Sequence, residues 1–201
     1  MTNDLLYQVA LTLVPNIGDV HAKALINIFG DAQSIFKAKK KDLEIIEGIG
    51  TVRAKSIKEF TDFSSSETEI KFIEKFKIAP LFITDDNYPR RLSGLAFGID
   101  TIAHKTALKN NLLTVAVLAH GLDRIYPQQN KTLAKEITAQ GGLLTDFISN
   151  TNPDKQNFPK RNRIVAGMCD AVVVIESGKK GGSLITAELG NGYNKDVFAI
   201  P

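Results

Sequence analysis

Four short segments hold the residues of this 201-residue chain best suited to chemistry. The first, SGLAFGID (93–100), runs into a helical stretch, TIAHKTAL. Gly94 and Gly98 let backbone approach a ligand closely and leave N–H groups free at a helix start, an arrangement that suits phosphate. The plainer reading of these glycines is a tight turn between a strand and a helix. The second segment, AHGLDRIYP (119–127), holds His120 and Asp123, which read best as satisfied polar groups of a turn, with Tyr126-Pro127 opening the next helix. The third, NFPKRNRIVAG (157–167), combines Phe158, Lys160, Arg161, Asn162 and Arg163 near a helix start. Arginine offers phosphate a planar fork, and the helix dipole adds to it. Phe158 could stack on a base or fill a core, and one arginine could instead cap a neighbouring strand. The fourth, ESGKKGGSLITAE (176–188), sets Lys179, Lys180, Gly181, Gly182 and Ser183 before another helix, with Thr186 in reach. Neither G-x-G-x-x-G nor G-x-x-x-x-G-K-[ST] occurs in these loops, so a dinucleotide or P-loop reading is weak. Three phosphate-suited loops in a row fit a long polyanion better than a single nucleotide.

The elements that must position these loops are legible as an alternation. Apolar strand candidates at 112–118, 142–147, 171–175 and 196–200 alternate with helical stretches near 99–110, 128–140, 160–168 and 184–193. Continuous β-branched runs between helices argue for a parallel sheet buried on both faces. Right-handed crossovers then give an open, mostly parallel α/β sheet of Rossmann-like type, whose ligands bind at the carboxyl ends of the strands. Residues 1–63 read differently, as short helices with glycine turns. PNIGDVHAKALI (15–26) and EGIGTVRAKSIK (47–58) repeat at a spacing of 32 residues, aligning Ile17 with Ile49, Gly18 with Gly50, Val20 with Val52, Ala22 with Ala54 and Lys23 with Lys55. This pattern resembles a tandem helix-hairpin-helix (SAM-like) all-α domain. Ser64–Glu69 reads as a polar linker running into a helix through EIKFIEKFKI, and 80–83 as a short strand. The expected organisation is a hairpin domain over 1–63, a linker helix and the start of the next domain over 64–92, and the α/β domain over 93–201.

In this order, SGLAFGIDTIAH, HGLDRIYP, NFPKRNRIVAG and GSLITAEL resemble the motif run of the DNA-processing protein A (DprA/Smf) family, and the N-terminal module resembles the helical domain many members carry. The likeness extends over nearly the whole chain. It implies a Rossmann-like fold, binding of single-stranded DNA, homodimerisation, and loading of RecA recombinase on incoming DNA in natural transformation. Transferred motif by motif, it places DNA contacts at Gly94 and Gly98, at Phe158, Lys160, Arg161, Asn162 and Arg163, and at Lys180, Gly181, Gly182 and Ser183. It implies no catalytic residue, metal or cofactor. The family pattern has a further stretch before SGLA, with early strands and a Gly-Ser/Thr-Arg loop that contributes an arginine. Here Tyr88-Pro89-Arg90-Arg91-Leu92 joins Ser93 directly. The preceding TDDNYPRRL cannot lie buried on both faces without stranding charge, and Pro89 would remove a ladder donor. A strand feeding SGLAFGID is therefore expected to be missing at this junction, either unseen or deleted.

Charge and composition agree with a polyanion partner. Of 25 basic and 22 acidic residues, 12 and 9 fall in 93–201, which holds the whole net excess of +3. Lys155, Lys160, Arg161 and Arg163 crowd one stretch with Asp154 as the lone acid, although a solvated loop would look similar. One cysteine, Cys169, forbids an internal disulfide and fits a reducing, cytoplasmic setting. No apolar run approaches the ~18–20 residues that span a bilayer, so no membrane role is expected. Three histidines and Cys169 lack metal-ligand spacing. Two other functions compete. GGSLITAE (181–188) loosely resembles a loop of nucleotide-monophosphate phosphoribohydrolases, in which Glu188 would be the acid/base. The hairpin module could also serve as a protein-contact scaffold.

Overall fold

The computed structural model describes residues 3–81 and 92–200, which fall into two compact units divided between these stretches. Among the described residues the elements of the first unit are all helices: α1 (Asn3–Leu13), α2 (Asp19–Phe29), α3 (Ala32–Lys37), α4 (Lys40–Glu44), α5 (Gly50–Glu59) and α6 (Phe63–Lys75). The two repeats form two hairpins. Each turns before its second helix, α2 or α5, and Gly18 stands at the N-cap of α2. Val14, Leu25, Ile46, Ile49, Ala54 and Ile57 are buried in one core. Val20 and Val52, equivalent in the repeat, stay exposed. Arg53 ties the hairpins together, donating from Nε to Asn16 O at 3.0 Å and from Nη1 to Gly48 O at 3.0 Å.

The Ser64–Glu69 stretch is helix rather than linker. Asp62 caps α6, accepting from Ser65 N at 3.2 Å, so the helix starts at Phe63 and carries the polar run inside it. The rings of Tyr7 and Phe63, 5.7 Å apart, pack α6 against α1. Half of the strand expected at 80–83 falls outside the described residues, and 80–81 are not strand.

The second unit alternates strand and helix: β1 (Leu92–Ser93), α7 (Ile99–Lys109), β2 (Val115–Val117), α8 (Lys131–Gln140), β3 (Gly142–Leu144), α9 (Asn157–Met168), β4 (Ala171–Val174), α10 (Gly182–Gly192) and β5 (Asp196–Ala199). All pairings are parallel, in the order β1-β2-β3 and β4-β5. This is the Rossmann-like α/β class, preceded by the helical unit. Two expectations are corrected. A strand does feed SGLAFGID: Leu92 and Ser93 pair with Val115 and Ala116, so β1 runs through the junction where none was expected. These two residues are uncharged and follow the charged run 84–91, which lies outside the described residues. The β4-β5 ladder is not buried on both faces. Val172 packs with Ala166, Cys169, Leu189 and Val197, while Val173 and Phe198 on the other face are 54% and 55% exposed.

Candidate nucleic-acid interface

Because the strands are parallel and each is followed by a helix, the loops leaving β1, β2, β3 and β4 emerge from carboxyl ends. The loop after β1 is held by side chains from behind. His104 on α7 is fully buried and donates from Nε2 to Gly94 O at 2.7 Å, while its Nδ1 accepts from Thr114 Oγ1 at 2.8 Å. Burial pushes its imidazole below the usual histidine range, and the Gly94 bond opposes this only in part. Asp100 accepts from Ser93 Oγ at 2.6 Å and from Ala96 N at 3.1 Å. Asn130 donates to Leu95 O at 2.8 Å. Gly98, with φ +81°, caps α7 in a backbone conformation that favours glycine.

The loop after β2 is zipped to the loop after β3. Gly121 N donates to Thr151 O at 3.2 Å and Asn150 N to Asp123 at 2.8 Å. Arg124 pairs with Asp123 and reaches Asn152 Oδ1. Thr145 Oγ1 donates to His120 O at 2.9 Å. His120 is buried as well: Nδ1 donates to Gly121 O at 2.9 Å and Nε2 accepts from Tyr126 N at 3.2 Å. His120 and Asp123 are thus satisfied polar groups, partnered by the turn itself and by the loop after β3, and His120 fixes the place of Tyr126.

Tyr126 faces Phe158 with ring centroids 6.0 Å apart. Together with Phe97, Leu118, His120 and Arg161 they line a cavity of about 210 Å³. Phe97 and Tyr126 are 62% and 50% exposed, so two of the three rings stand open to solvent. Phe158 is therefore neither a core residue nor isolated: it is half-buried at this cavity.

The cations of α9 divide. Lys160 is exposed. Arg161 is 6% exposed and points inward, donating from Nη1 to Val117 O and from Nε to Asn162 Oδ1 at 3.1 Å. Burial lowers its pKa, with Asp100 opposing. Arg163 is half-buried and paired with Asp146 at the mouth of the loop after β3. Burial pushes the Asp146 carboxyl up, and Lys160 pulls it back. Asn162 donates to Gly182 O at 3.2 Å, which ties the middle of α9 to the start of α10. There Lys180 and Gly181 are exposed, and Ser183 Oγ donates to Ser177 Oγ at 2.8 Å. Of the sites expected at Gly94, Gly98, Phe158, Lys160, Arg161, Asn162, Arg163, Lys180, Gly181, Gly182 and Ser183, the structure sets Gly94 against Arg161 and joins Asn162 to Gly182, while Gly98 stands at the N-cap of α7. Phe97 and Tyr126 were not among them; an aromatic ring on each of two loops at the carboxyl edge was the available signal. Glu188, the acid/base of the hydrolase alternative, is exposed on α10.

Among the described residues no His, Cys, Asp and Glu cluster of three or more could hold a metal ion. No helix among them is long and apolar enough to cross a membrane.

Residues 81–201 match the family described as DNA recombination-mediator protein A, and residues 8–70 match the helix-hairpin-helix motif. Protein Smf of Synechocystis sp. is 49% identical over 110 residues, covering 55% of this chain and 28% of that protein. The DNA processing protein DprA of Streptococcus pneumoniae is 47% identical over 110 residues, covering 55% and 39%. The chain therefore spans well under half the length of the curated relatives it matches. The crystal structure of DNA processing protein A from S. pneumoniae superposes with a TM-score of 0.72 at 24% identity, over 98% of this chain and 86% of that one, a likeness of fold. A Helicobacter pylori DNA processing protein A, described by its single-stranded DNA binding mode, superposes with a TM-score of 0.52 at 31% identity over 70% of this chain and 60% of that one.

Proposed function

Because this chain belongs to the DNA recombination-mediator protein A family, we propose that it binds single-stranded DNA across the loops at the carboxyl edge of its parallel strands, without cutting it. The observation that carries this reading is the 210 Å³ cavity lined by Phe97, Tyr126 and Phe158, with cationic Lys160 and Arg163 on the helix that supplies Phe158. Open rings accept any base by its π-face, and flanking cations take the phosphates. A duplex keeps its bases stacked inside, so such a cavity favours a single strand. Lys160, Asn162, Arg163, Lys180, Gly181, Gly182 and Ser183 line the path of the backbone, and Phe158 takes a base. Gly94 and Gly98 shape the first loop and leave its amides at the helix start.

We further assign to the chain what its family resemblance implies: protection of incoming DNA, loading of RecA recombinase in natural transformation, a homodimer as the working state, and a cytoplasmic setting. The single-stranded DNA named for the H. pylori relative supports the binding on which these roles depend. The domain organisation we propose keeps a helix-hairpin-helix domain ahead of the α/β domain, with α6 belonging to the former. Titration with one labelled oligonucleotide, single-stranded and as a duplex, and incubation with AMP test the reading together. Tighter binding of the single strand and no release of base from AMP are expected. Base release that Glu188→Gln abolishes would overturn it in favour of the hydrolase.

A further inference from the structure

The structure assigns Arg161 to positioning: its guanidinium is an internal strut that sets the β1–α7 loop against the start of α9, and the phosphate work falls to its neighbours. Three consecutive facts lead there. Arg161 is 6% exposed, whereas Lys160 is exposed and Arg163 half-buried on the same helix. Two of its nitrogens are committed inside the protein, Nη1 to Val117 O at the end of β2 and Nε to Asn162 Oδ1. And Gly94 is pressed onto it: a Cβ at position 94 would collide with Arg161 Nη1 and with Asp100 Oδ2, and would lie 2.7 Å from Nη2.

Gly94 is thus clamped between a cation from α9 and a carboxylate from α7 that itself accepts from Ser93 and Ala96. The clamp joins two walls of one cavity. Arg161 lines it, Phe158 stands three residues earlier on the same helix, and Leu95 and Phe97 sit on the loop that Gly94 anchors. A fork is required because two acceptors, Val117 O and Asn162 Oδ1, are met in fixed directions; a lysine ammonium reaches as a point and cannot meet both. A guanidinium this enclosed cannot also meet a phosphate without abandoning a buried carbonyl. Arg161 and Arg163, two residues apart in one motif, therefore divide into a support and a contact.

The binding arm of the test rests on the single-stranded DNA reading; the exchange arm does not. Full-length wild type, Arg161→Lys and Arg163→Ala are compared by hydrogen exchange over 93–99 and by oligothymidine titration across salt. For Arg161→Lys the expected result is exchange of the 94–98 amides faster by about tenfold and affinity lower by about tenfold, as the loss of one charge-assisted bond implies, with an unchanged slope of log K against log salt. For Arg163→Ala exchange stays at wild type and the slope becomes shallower by about 0.7. The proposal is overturned if Arg161→Lys keeps wild-type exchange, or if its slope becomes shallower as for Arg163→Ala. Should Arg161→Lys lose its fold by circular dichroism, Gly94→Ala strains the same contact from the other side and is expected to give the same signature; wild-type exchange there overturns the proposal equally. If wild type fails to bind oligothymidine, the DNA reading falls, and the exchange arm alone decides the strut.

Discussion

The rings of Tyr126 and Phe158 stand with centroids 6.0 Å apart although they arrive from different loops, one after β2 and one at the start of α9. Neither loop is free to drift. His120 fixes the amide of Tyr126, and Asn157 is buried and donates to Asn152 O at 3.0 Å. A preformed pair of this kind lowers the ordering cost of taking up a base.

Tyr126 is consequently expected to matter as much as Phe158. Tyr126→Ala should weaken single-stranded DNA binding by roughly 1–3 kcal/mol, the usual loss for one stacking platform, and to a similar degree for different sequences. Tyr126→Phe should bind like wild type. Equilibrium titration with two oligonucleotides of unlike composition checks this; a loss confined to one sequence would argue for edge recognition of a base instead.

Asp146 is paired with Arg163, a cation proposed to meet a phosphate. Asp146→Asn removes the competing anion, so affinity should rise a few-fold while the salt slope stays at the wild-type value, because Arg163 makes the same one phosphate contact in both proteins. Titrations at several salt concentrations read both quantities. Weaker binding by Asp146→Asn would mean that the carboxylate organises the site rather than competing for it.

His104 gives the α/β unit a pH dependence of definite sign. Its pKa is lowered in the folded state by burial, and both ring nitrogens are used by Gly94 O and Thr114 Oγ1 with the ring neutral. Asp100 favours the proton and Arg161 opposes it. The unfolded chain takes up that proton first, near the ordinary histidine value of about 6.5, so the stabilisation is present above that pH and is lost as pH falls through the folded pKa. Melting temperature should drop between neutral and mildly acid pH, and less steeply in His104→Gln. Parallel curves for the two proteins would contradict the assignment.

Ser66 is 0% exposed on α6, and its Oγ has no hydrogen-bond partner among the described residues. Removing that hydroxyl removes an uncompensated desolvation and adds a better helix former. Ser66→Ala should therefore stabilise the helical unit by about 1 kcal/mol, seen as a higher thermal midpoint. A lower midpoint would show that the hydroxyl is satisfied in solution.

The sequence made the alternation of elements legible because the strands fall on short apolar runs between amphipathic helices, and the hairpin repeat because Ile, Gly, Val, Ala and Lys return in register. It misplaced α6 because Asp62, two residues before the serine run, is the cap, and a short polar run looks the same inside a helix as in a linker. It missed β1 because two residues, Leu92 and Ser93, leave no periodicity to read. Within the site, Phe158 and the cations were visible by type. Residue type could not tell Arg161 from Arg163, since what separates them is the proximity of Gly94 and Val117, distant in sequence. Phe97 and Tyr126 went unread because their neighbours, glycines and a proline, signal turns first.

The most direct test of the account is whether a base enters the aromatic cavity. An oligothymidine carrying one 2-aminopurine reports stacking by loss of fluorescence. Titration with the full-length protein should quench it on binding, and Phe158→Leu with Tyr126→Leu should abolish the quench and weaken binding together. Wild-type affinity for the oligonucleotide with no quench, unaltered by both substitutions, would contradict the account.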